Sequence, residues 1–217
     1  MRFRSFLSVA ILAILIAGTD FCVQVGFSVV YSPDDAVAYA HKYAYKVESD
    51  GYFWSSTSEP TYYGAGVNVP SATGYDCAHF VSCCIGNEPN EAGGGLNVPT
   101  SWGACYGQPG AANLCNWLLN TSGMAEEKSS YSDLSPGDVI GYDWDGGGWI
   151  DHVAVYLGDG KVAAHSSSHD NYSWDYGGAS FTGTYVHIIP EPGTLTLLCV
   201  GAIFMLALQW RRRIRGA

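Results

Sequence analysis

Two apolar segments, one near each end of the 217-residue chain, limit the part that can fold as a water-soluble domain. At the N-terminus, Arg2 and Arg4 precede a charge-free run from Phe6 to Gly18, and small residues follow it. This order is typical of a secretory signal peptide. A helix made of that run would reach only about 20 Å, whereas the hydrocarbon core of a membrane is about 30 Å thick. We therefore predict a signal peptide over residues 1–28 and one domain over residues 31–189.

The C-terminal segment has three features in a fixed order. Pro190-Glu191-Pro192 leads into an apolar run from Leu195 to Trp210, and four arginines follow within the last seven residues. Basic residues at the end of an apolar helix stay on the cytoplasmic side of a membrane, so the domain before the helix lies outside. The order resembles the PEP-CTERM protein-sorting signal. This resemblance implies that residues 190–217 form a transmembrane helix that an exosortase-type protease processes, at the cell surface or envelope of a Gram-negative-type bacterium.

Charge excludes some partners of the predicted domain. Between Tyr31 and Pro190 the chain has four lysines and no arginine against eighteen acidic residues, which gives a formal charge of −14. Such a surface repels nucleic acid and anionic lipid. We therefore expect no nucleic-acid partner.

The odd number of cysteines in the domain indicates that at least one of them is not paired within the chain. Two of the seven, Cys22 and Cys199, lie in the terminal segments, which leaves five. At least one thiol of an exported domain with five cysteines remains free or pairs between chains. Several pairings are open, among them a bridge between Cys105 and Cys115 and a bridge from Cys77 to Cys83 or Cys84.

Hydrophobic periodicity predicts helices in the first part of the domain and strands in the second. Ser32-Pro33-Asp34-Asp35 is typical of a helix start, and apolar residues then recur at helical spacing as far as Val47. The Gly-Asp-Gly sequence at residues 158–160 predicts a tight hairpin. Together these patterns predict an α+β fold with a small antiparallel sheet. The further predicted elements are helices over 76–85 and 111–119, strands over 139–142, 150–157, 161–165 and 184–189, and a loop over 49–74.

Cys77, His152 and His165 are the candidate catalytic residues. Cys77 lies at the start of the second predicted helix, where Asp76 would cap the helix and the helix dipole would lower the pKa of the thiol. His152 opens the strand before the hairpin and could act as the base, while His165 ends the strand after it. If the hairpin pairs residues whose numbers sum to about 318, His165 is a neighbour of His152 and could orient it. A slip of one residue would turn its ring to the other face.

A family resemblance supports this interpretation. The segment Asp76-Cys77-Ala78-His79-Phe80-Val81-Ser82 resembles the Asp-Cys-Ala-Asn-Phe-Val-Ser block of an amidase domain family, which belongs to the NlpC-type, papain-like cell-wall hydrolases. Gly110–Leu114, Pro136–Ile140 and His152–His165 resemble further blocks of that family. The resemblance implies a papain-like fold with Cys77 as nucleophile, His152 as base and His165 as the orienting residue. It implies no cofactor, and a peptide or a peptidoglycan stem peptide as substrate. His79 departs from the family pattern, which often has asparagine there.

Two other functions fit the same residues. A non-catalytic binding module of the cell surface or matrix could use this fold with Cys77 retained or disulfide-bonded. A zinc-dependent hydrolase could use His152, His165 and His169 as metal ligands. In a strand or loop, the four-residue spacing of His165 and His169 does not bring both rings together as it would in a helix, which weakens the zinc hypothesis.

Overall fold

A computed structural model describes residues 31–70, 74–189 and 201. Helices come first along the chain and most strands follow. The helices are α1 (Pro33–Tyr43), α2 (Cys77–Ile85) and α3 (Ala111–Asn120), and the strands are β1 (Tyr52–Phe53), β2 (Thr61–Tyr62), β3 (Ala125–Lys128), β4 (Val139–Asp143), β5 (His152–Gly158), β6 (Lys161–Ala164), β7 (His169–Ser173) and β8 (Thr182–Ile188). A short 3₁₀ helix spans Tyr131–Asp133.

The predicted α+β class is confirmed. β1 and β2 form a small hairpin, and the other six strands form one antiparallel sheet in the order β3-β8-β4-β5-β6-β7. β5 and β6 pair Val155 with Ala163 and Tyr156 with Val162, so their numbers sum to 318 as predicted. The connecting turn has positive φ at Gly158, Asp159 and Gly160, a conformation that glycine adopts readily.

The three helices cover one face of this sheet. Side chains alternate along each strand, so one set packs against the helices and the other set faces away from them. The opposite face carries a second cluster, which aromatic residues from the loops cover. The helix-facing set is Val139, Val153, Val155, Ala163 and Val186, and the opposite set is Ile140, Tyr142, Ala154, Tyr156, Val162 and Ala164.

Most element boundaries agree with the sequence prediction to within two residues. Ser32 caps α1 as expected, since its Oγ accepts a hydrogen bond from the backbone N of Asp35. The prediction missed four short strands. Of these, β1 and β2 lie in the segment predicted as loop, while β3 and β7 carry mainly polar residues without clear alternation.

None of the disulfide pairings that the sequence left open is present among the described residues, because their five cysteines are all free and buried. Cys105 instead accepts a hydrogen bond from the indole nitrogen of Trp54, at 3.2 Å. Cys22 and Cys199, the predicted signal peptide and the predicted C-terminal transmembrane helix lie outside the described residues. Within the ranges that the structure describes, no helix has the length and apolar character needed to cross a bilayer.

Candidate active site

Cys77 is the first residue of α2, whose nine residues are all buried. The helix packs against α1 and against β5, and these contacts hold its N-terminal end at the start of β5. Cys77 lines a cavity, and the residue is only 6 % exposed. This cavity is therefore the candidate route by which a substrate reaches the thiol.

The N-terminus of α2 is capped from a distant part of the chain. Asp76 was expected to cap it, but its side chain makes no capping hydrogen bond. Ser166 takes this role, because its Oγ accepts hydrogen bonds from the backbone N of Asp76 at 3.0 Å and of Cys77 at 3.2 Å. Ser166 has a φ of 80°, which is uncommon for a residue with a side chain. This turn conformation places the hydroxyl at the helix end.

Burial raises the pKa of the Cys77 thiol to about 11. The backbone N–H groups of Val153 and Ala78 and the hydroxyl of Ser166 lower this pKa, but their effect is smaller. The sequence led us to expect a lowered pKa from the helix dipole. In the structure the desolvation of a nearly inaccessible thiolate outweighs the dipole, so the resting side chain is a neutral thiol.

His152 begins β5 and lines the same cavity as Cys77. Its Nε2 lies 2.8 Å from the hydroxyl of Tyr176, and its ring packs among Tyr142, Trp144 and Tyr176. Burial lowers the pKa of His152 to about 4, with a smaller contribution from His169. His152 is therefore neutral near pH 7. If Nε2–H donates to Tyr176, Nδ1 is free to accept a proton.

The cavity has a volume of about 510 Å³ and a largely aromatic and small-residue lining. Among the described residues that line it, Asp151 is the one with a carboxylate and none is a lysine or arginine. Such a cavity suits a neutral or cationic substrate group better than an anionic one. The lining residues are Trp54, Thr57, Gly74, Tyr75, Cys77, Pro109, Gly110, Ala111, Asn113, Trp144, Asp151, His152 and Ser166.

His165 does not lie beside the His152 ring, contrary to the sequence expectation. A register sum of 318 pairs even-numbered with even-numbered residues, so His165 continues the helix-facing set and His152 the opposite set. The Nδ1 of His165 lies 2.7 Å from Oδ2 of Asp76, and its Nε2 lies 2.9 Å from the carbonyl oxygen of Tyr43. Both ring nitrogens are thus engaged. Tyr176 takes the place next to His152 that was expected for His165.

The three histidines of the zinc hypothesis do not form one site. His165 is completely buried, and its ring nitrogens face Asp76 and Tyr43 and not His152, while His169 stacks on Tyr172 and contacts Ser167. Among the described residues, the groups of neighbouring His, Cys, Asp and Glu atoms that could bind a metal include neither His152 nor His169.

A buried cluster of acids and histidines lies behind Cys77, and sequence analysis missed it. It comprises three carboxylates, two imidazoles and a thiol, none of which lines the cavity. Burial alone would lower the pKa of His165, but Glu48 and Asp76 raise it to about 10. Burial alone would raise the pKa of Asp76, but His79 and His165 lower it below its usual range. Its members are Glu48, Asp50, Asp76, His79, Cys83 and His165.

Comparison with known protein families gives a match over the whole domain described above. A family model described as "Putative amidase domain" matches residues 30–189, which include all the elements above. The chain belongs to this amidase family. Residues 189–213 match the PEP-CTERM protein-sorting motif. Searches of curated proteins and of solved structures found no match.

These two matches give the general class of the protein and its destination. The amidase domain indicates a hydrolase, and the sorting motif marks the chain for export, exosortase processing and sorting to the cell surface of a Gram-negative bacterium. The amidase family was predicted from the Cys77 block, and the sorting motif from the Pro-Glu-Pro tail; both predictions are confirmed.

Proposed function

We propose that this amidase is an exported, papain-like cysteine hydrolase in which Cys77 is the nucleophile and His152 the general base. The observation that carries the proposal is the meeting of two chain segments at one cavity. The start of α2 brings a thiol to the cavity, and the start of β5 brings a neutral imidazole to it. A cysteine at the start of a helix and a histidine at the start of a strand, both lining one cavity, are the arrangement expected of papain-like enzymes.

The reaction starts from a neutral pair, because burial keeps the thiol protonated and the imidazole unprotonated. As Sγ of Cys77 attacks the amide carbonyl carbon, a C–S bond forms and the thiol proton passes to Nδ1 of His152. The C–N bond then breaks, and His152 returns the proton to the amine that leaves. Water attacks the acyl-enzyme, His152 takes its proton, the C–S bond breaks, and the thiol is restored.

Two further side chains support this reaction. In this mechanism the hydroxyl of Tyr176, 2.8 Å from Nε2 of His152, accepts a hydrogen bond from Nε2–H and so holds the ring in the tautomer that has a free Nδ1. The Ser166 hydroxyl accepts hydrogen bonds from two backbone N–H groups. These bonds polarise it, so it becomes a stronger hydrogen-bond donor to the thiolate or to the oxyanion. The N–H groups at a helix N-terminus can bind a developing oxyanion directly. In this proposal Ser166 transmits their effect.

The substrate follows from the family resemblance rather than from the cavity. A peptide or a peptidoglycan stem peptide is the proposed substrate class, and the exported location is consistent with a cell-wall target. Stem peptides carry carboxylates, whereas the cavity offers them no basic side chain among its described residues. We therefore propose that the amide bond cleaved lies next to a neutral or amine-bearing part of the substrate.

The experiment compares wild type with Cys77→Ala, His152→Ala and the control Cys105→Ala, using peptidoglycan fragments as substrate. We expect release of free amine by wild type and by the control, and less than about one thousandth of that rate in the other two variants. Mass spectrometry of the reaction should find an acyl group on the peptide that contains Cys77. Hydrolysis that persists in Cys77→Ala would refute cysteine catalysis.

A non-catalytic binding module remains the second candidate, because the Cys77 thiol is buried and its pKa is raised. In that case peptidoglycan fragments bind to wild type and to Cys77→Ala equally well, with no amine released from either. Isothermal titration calorimetry beside the hydrolysis assay distinguishes the two functions.

A further inference from the structure

The buried cluster behind Cys77 has the features of a metal centre, although His165 is the one member that the sequence suggested as a metal ligand, and with other partners. His165 and Glu48 are completely buried, and so is Asp76. The Nδ1 of His165 lies 2.7 Å from Oδ2 of Asp76 and 2.9 Å from Oε1 of Glu48. One nitrogen therefore faces two carboxylate oxygens at hydrogen-bond distance. A single N–H can point well at only one of them.

The other nitrogen of His165 fixes the state of the ring. Nε2 lies 2.9 Å from the carbonyl oxygen of Tyr43, which can only accept a hydrogen bond, so Nε2 carries a proton. In the neutral ring Nδ1 then presents a lone pair to the two carboxylates. Two anions and a lone pair repel one another unless a cation lies between them.

His79 repeats this arrangement from the other side of the cluster. Its Nε2 lies 3.0 Å from Oδ2 of Asp50, and its Nδ1 lies 3.0 Å from Oδ1 of Asp76 and 3.7 Å from Oε2 of Glu48. Asp76 thus lies between the two histidines, with one of them on each carboxylate oxygen. Tyr43, on the far nitrogen of His165, and His79, on the far oxygen of Asp76, correspond to the outer partners that orient the ligands of a metal.

Glu48 supplies an independent observation. Within the described part of the chain, neither of its buried carboxylate oxygens has a hydrogen-bond partner of acceptable geometry. A buried carboxylate without such partners is costly, because it loses its hydration and gains nothing in return. The rest of the carboxylates in the cluster do accept hydrogen bonds, Asp76 from the backbone N of Trp54 and Asp50 from that of Tyr106.

We infer that Glu48, Asp76 and His165 bind one divalent first-row transition-metal ion, such as Zn²⁺, behind the nucleophile helix. The ion takes the place of the proton that would otherwise sit on Nδ1 of His165, and its charge balances the two carboxylates. One imidazole nitrogen and two carboxylates form a donor set that suits Zn²⁺, Fe²⁺ or Mn²⁺. Because none of the three residues lines the cavity, the ion is structural and ties α2 to the segment before β1 and to the end of β6.

The test measures metal content and its effect on stability in the full chain. Purified without chelator, wild type should contain about one equivalent of a divalent metal by plasma mass spectrometry. Protein unfolded with chelator and refolded with Zn²⁺ should melt on the order of 10 °C higher than protein refolded without metal.

Glu48→Gln is the diagnostic variant, and Glu88→Gln is its matched control. Glu88 is also buried, but its oxygens accept hydrogen bonds from Ser49, Asn90 and the backbone N of Glu91. We expect Glu48→Gln to lose the metal and the Zn²⁺-dependent rise in Tm, and Glu88→Gln to keep both. Should Glu48→Gln fail to fold, Co²⁺ refolded into wild type reports the ligands through its visible spectrum.

Three results would overturn the inference: wild type with less than about a tenth of an equivalent of metal, a Tm that none of Zn²⁺, Fe²⁺, Mn²⁺ or Co²⁺ changes, or full metal retention in Glu48→Gln. The first two would show a metal-free network of two imidazolium ions and three carboxylates. Each of these outcomes leaves the proposed cysteine chemistry untouched, since that chemistry is tested at Cys77 and His152.

Discussion

Replacement of Ser166 by alanine separates the two roles that the structure gives its hydroxyl. As an acceptor, Oγ caps α2 through the backbone N of Asp76 and of Cys77. Loss of a helix cap costs about 1 kcal/mol, and for a domain of this size that corresponds to a fall in Tm of about 2–4 °C. As a donor, the hydroxyl lowers the pKa of Cys77. A hydrogen bond to a charged group contributes about 1.5–3 kcal/mol, so its loss should raise this pKa by about 1–2 units.

The thiolate fraction of Cys77 sets the rate of its alkylation. At a pH well below the pKa, a rise of 1–2 units lowers that rate about 10- to 100-fold. The assay follows iodoacetamide labelling of the peptide that contains Cys77 by mass spectrometry, from pH 7 to pH 10. Ser167→Ala is the control, because Ser167 is exposed and lies next in the chain.

Ser166→Gly distinguishes the hydroxyl from the backbone. Ser166 has a φ of 80°, so glycine relieves strain that serine and alanine share. We expect Ser166→Gly to recover part of the lost stability but to be alkylated as slowly as Ser166→Ala. If both variants are alkylated as fast as wild type at every pH, the hydroxyl is not a hydrogen-bond donor to Cys77.

Three further predictions concern the base and the sheet. Neutral His152 is the active form, and burial lowers its pKa to about 4. A measured pH profile of kcat/KM should therefore stay constant from pH 7 to about 5 and fall to zero below about pH 4. A loss of kcat/KM with its midpoint near pH 6.5 would contradict this. Tyr176→Phe removes the hydroxyl at 2.8 Å from His152 and should lower kcat about 5- to 30-fold without a change in Tm above a few degrees, whereas Tyr172→Phe, at an exposed ring, should change neither. Asp138→Ala leaves two backbone N–H groups and a histidine without their acceptor, and should lower the free energy of unfolding in urea by about 2–5 kcal/mol, against less than about 0.5 kcal/mol for exposed Asp133→Ala.

The main elements could be predicted because their signals are local. A capping serine, a Gly-Asp-Gly turn and the alternation of His152-Val153-Ala154-Val155-Tyr156 depend on residues close in sequence. The hairpin sum of 318 was also predictable from the turn. It already implied that His165, an odd-numbered residue, faces away from His152, an even-numbered one. The expectation for His165 allowed a margin of one residue, and in a strand one residue decides the face.

The supporting residues could not be predicted, because distant segments bring them together. Ser166 reaches the start of α2 across 89 positions of sequence, and its neighbours Ser167 and Ser168 look identical in the sequence. Glu48 lies between the helical periodicity, which extends to Val47, and the loop predicted over 49–74, and no local pattern marks it. Burial of the Cys77 thiol likewise depends on packing that no local pattern encodes, and for this reason the direction of its pKa shift was predicted incorrectly.

The place of β8 in the sheet affects how the exported chain can fold. This strand is the last described one along the chain, yet it lies inside the sheet, where it pairs with β3 on one side and with β4 on the other. A chain emerging from a translocation channel can form the helices and the β5–β6 hairpin early. In contrast, β3 cannot join the sheet until β8, which lies between β3 and β4, has emerged as far as residue 188. Such late, long-range pairing slows folding and prolongs the exposure of sheet edges to aggregation. The sorting motif begins at residue 189, directly after the last residue of β8. If the predicted C-terminal transmembrane helix keeps the unprocessed tail in the membrane, the anchor follows closely after the strand that completes the sheet.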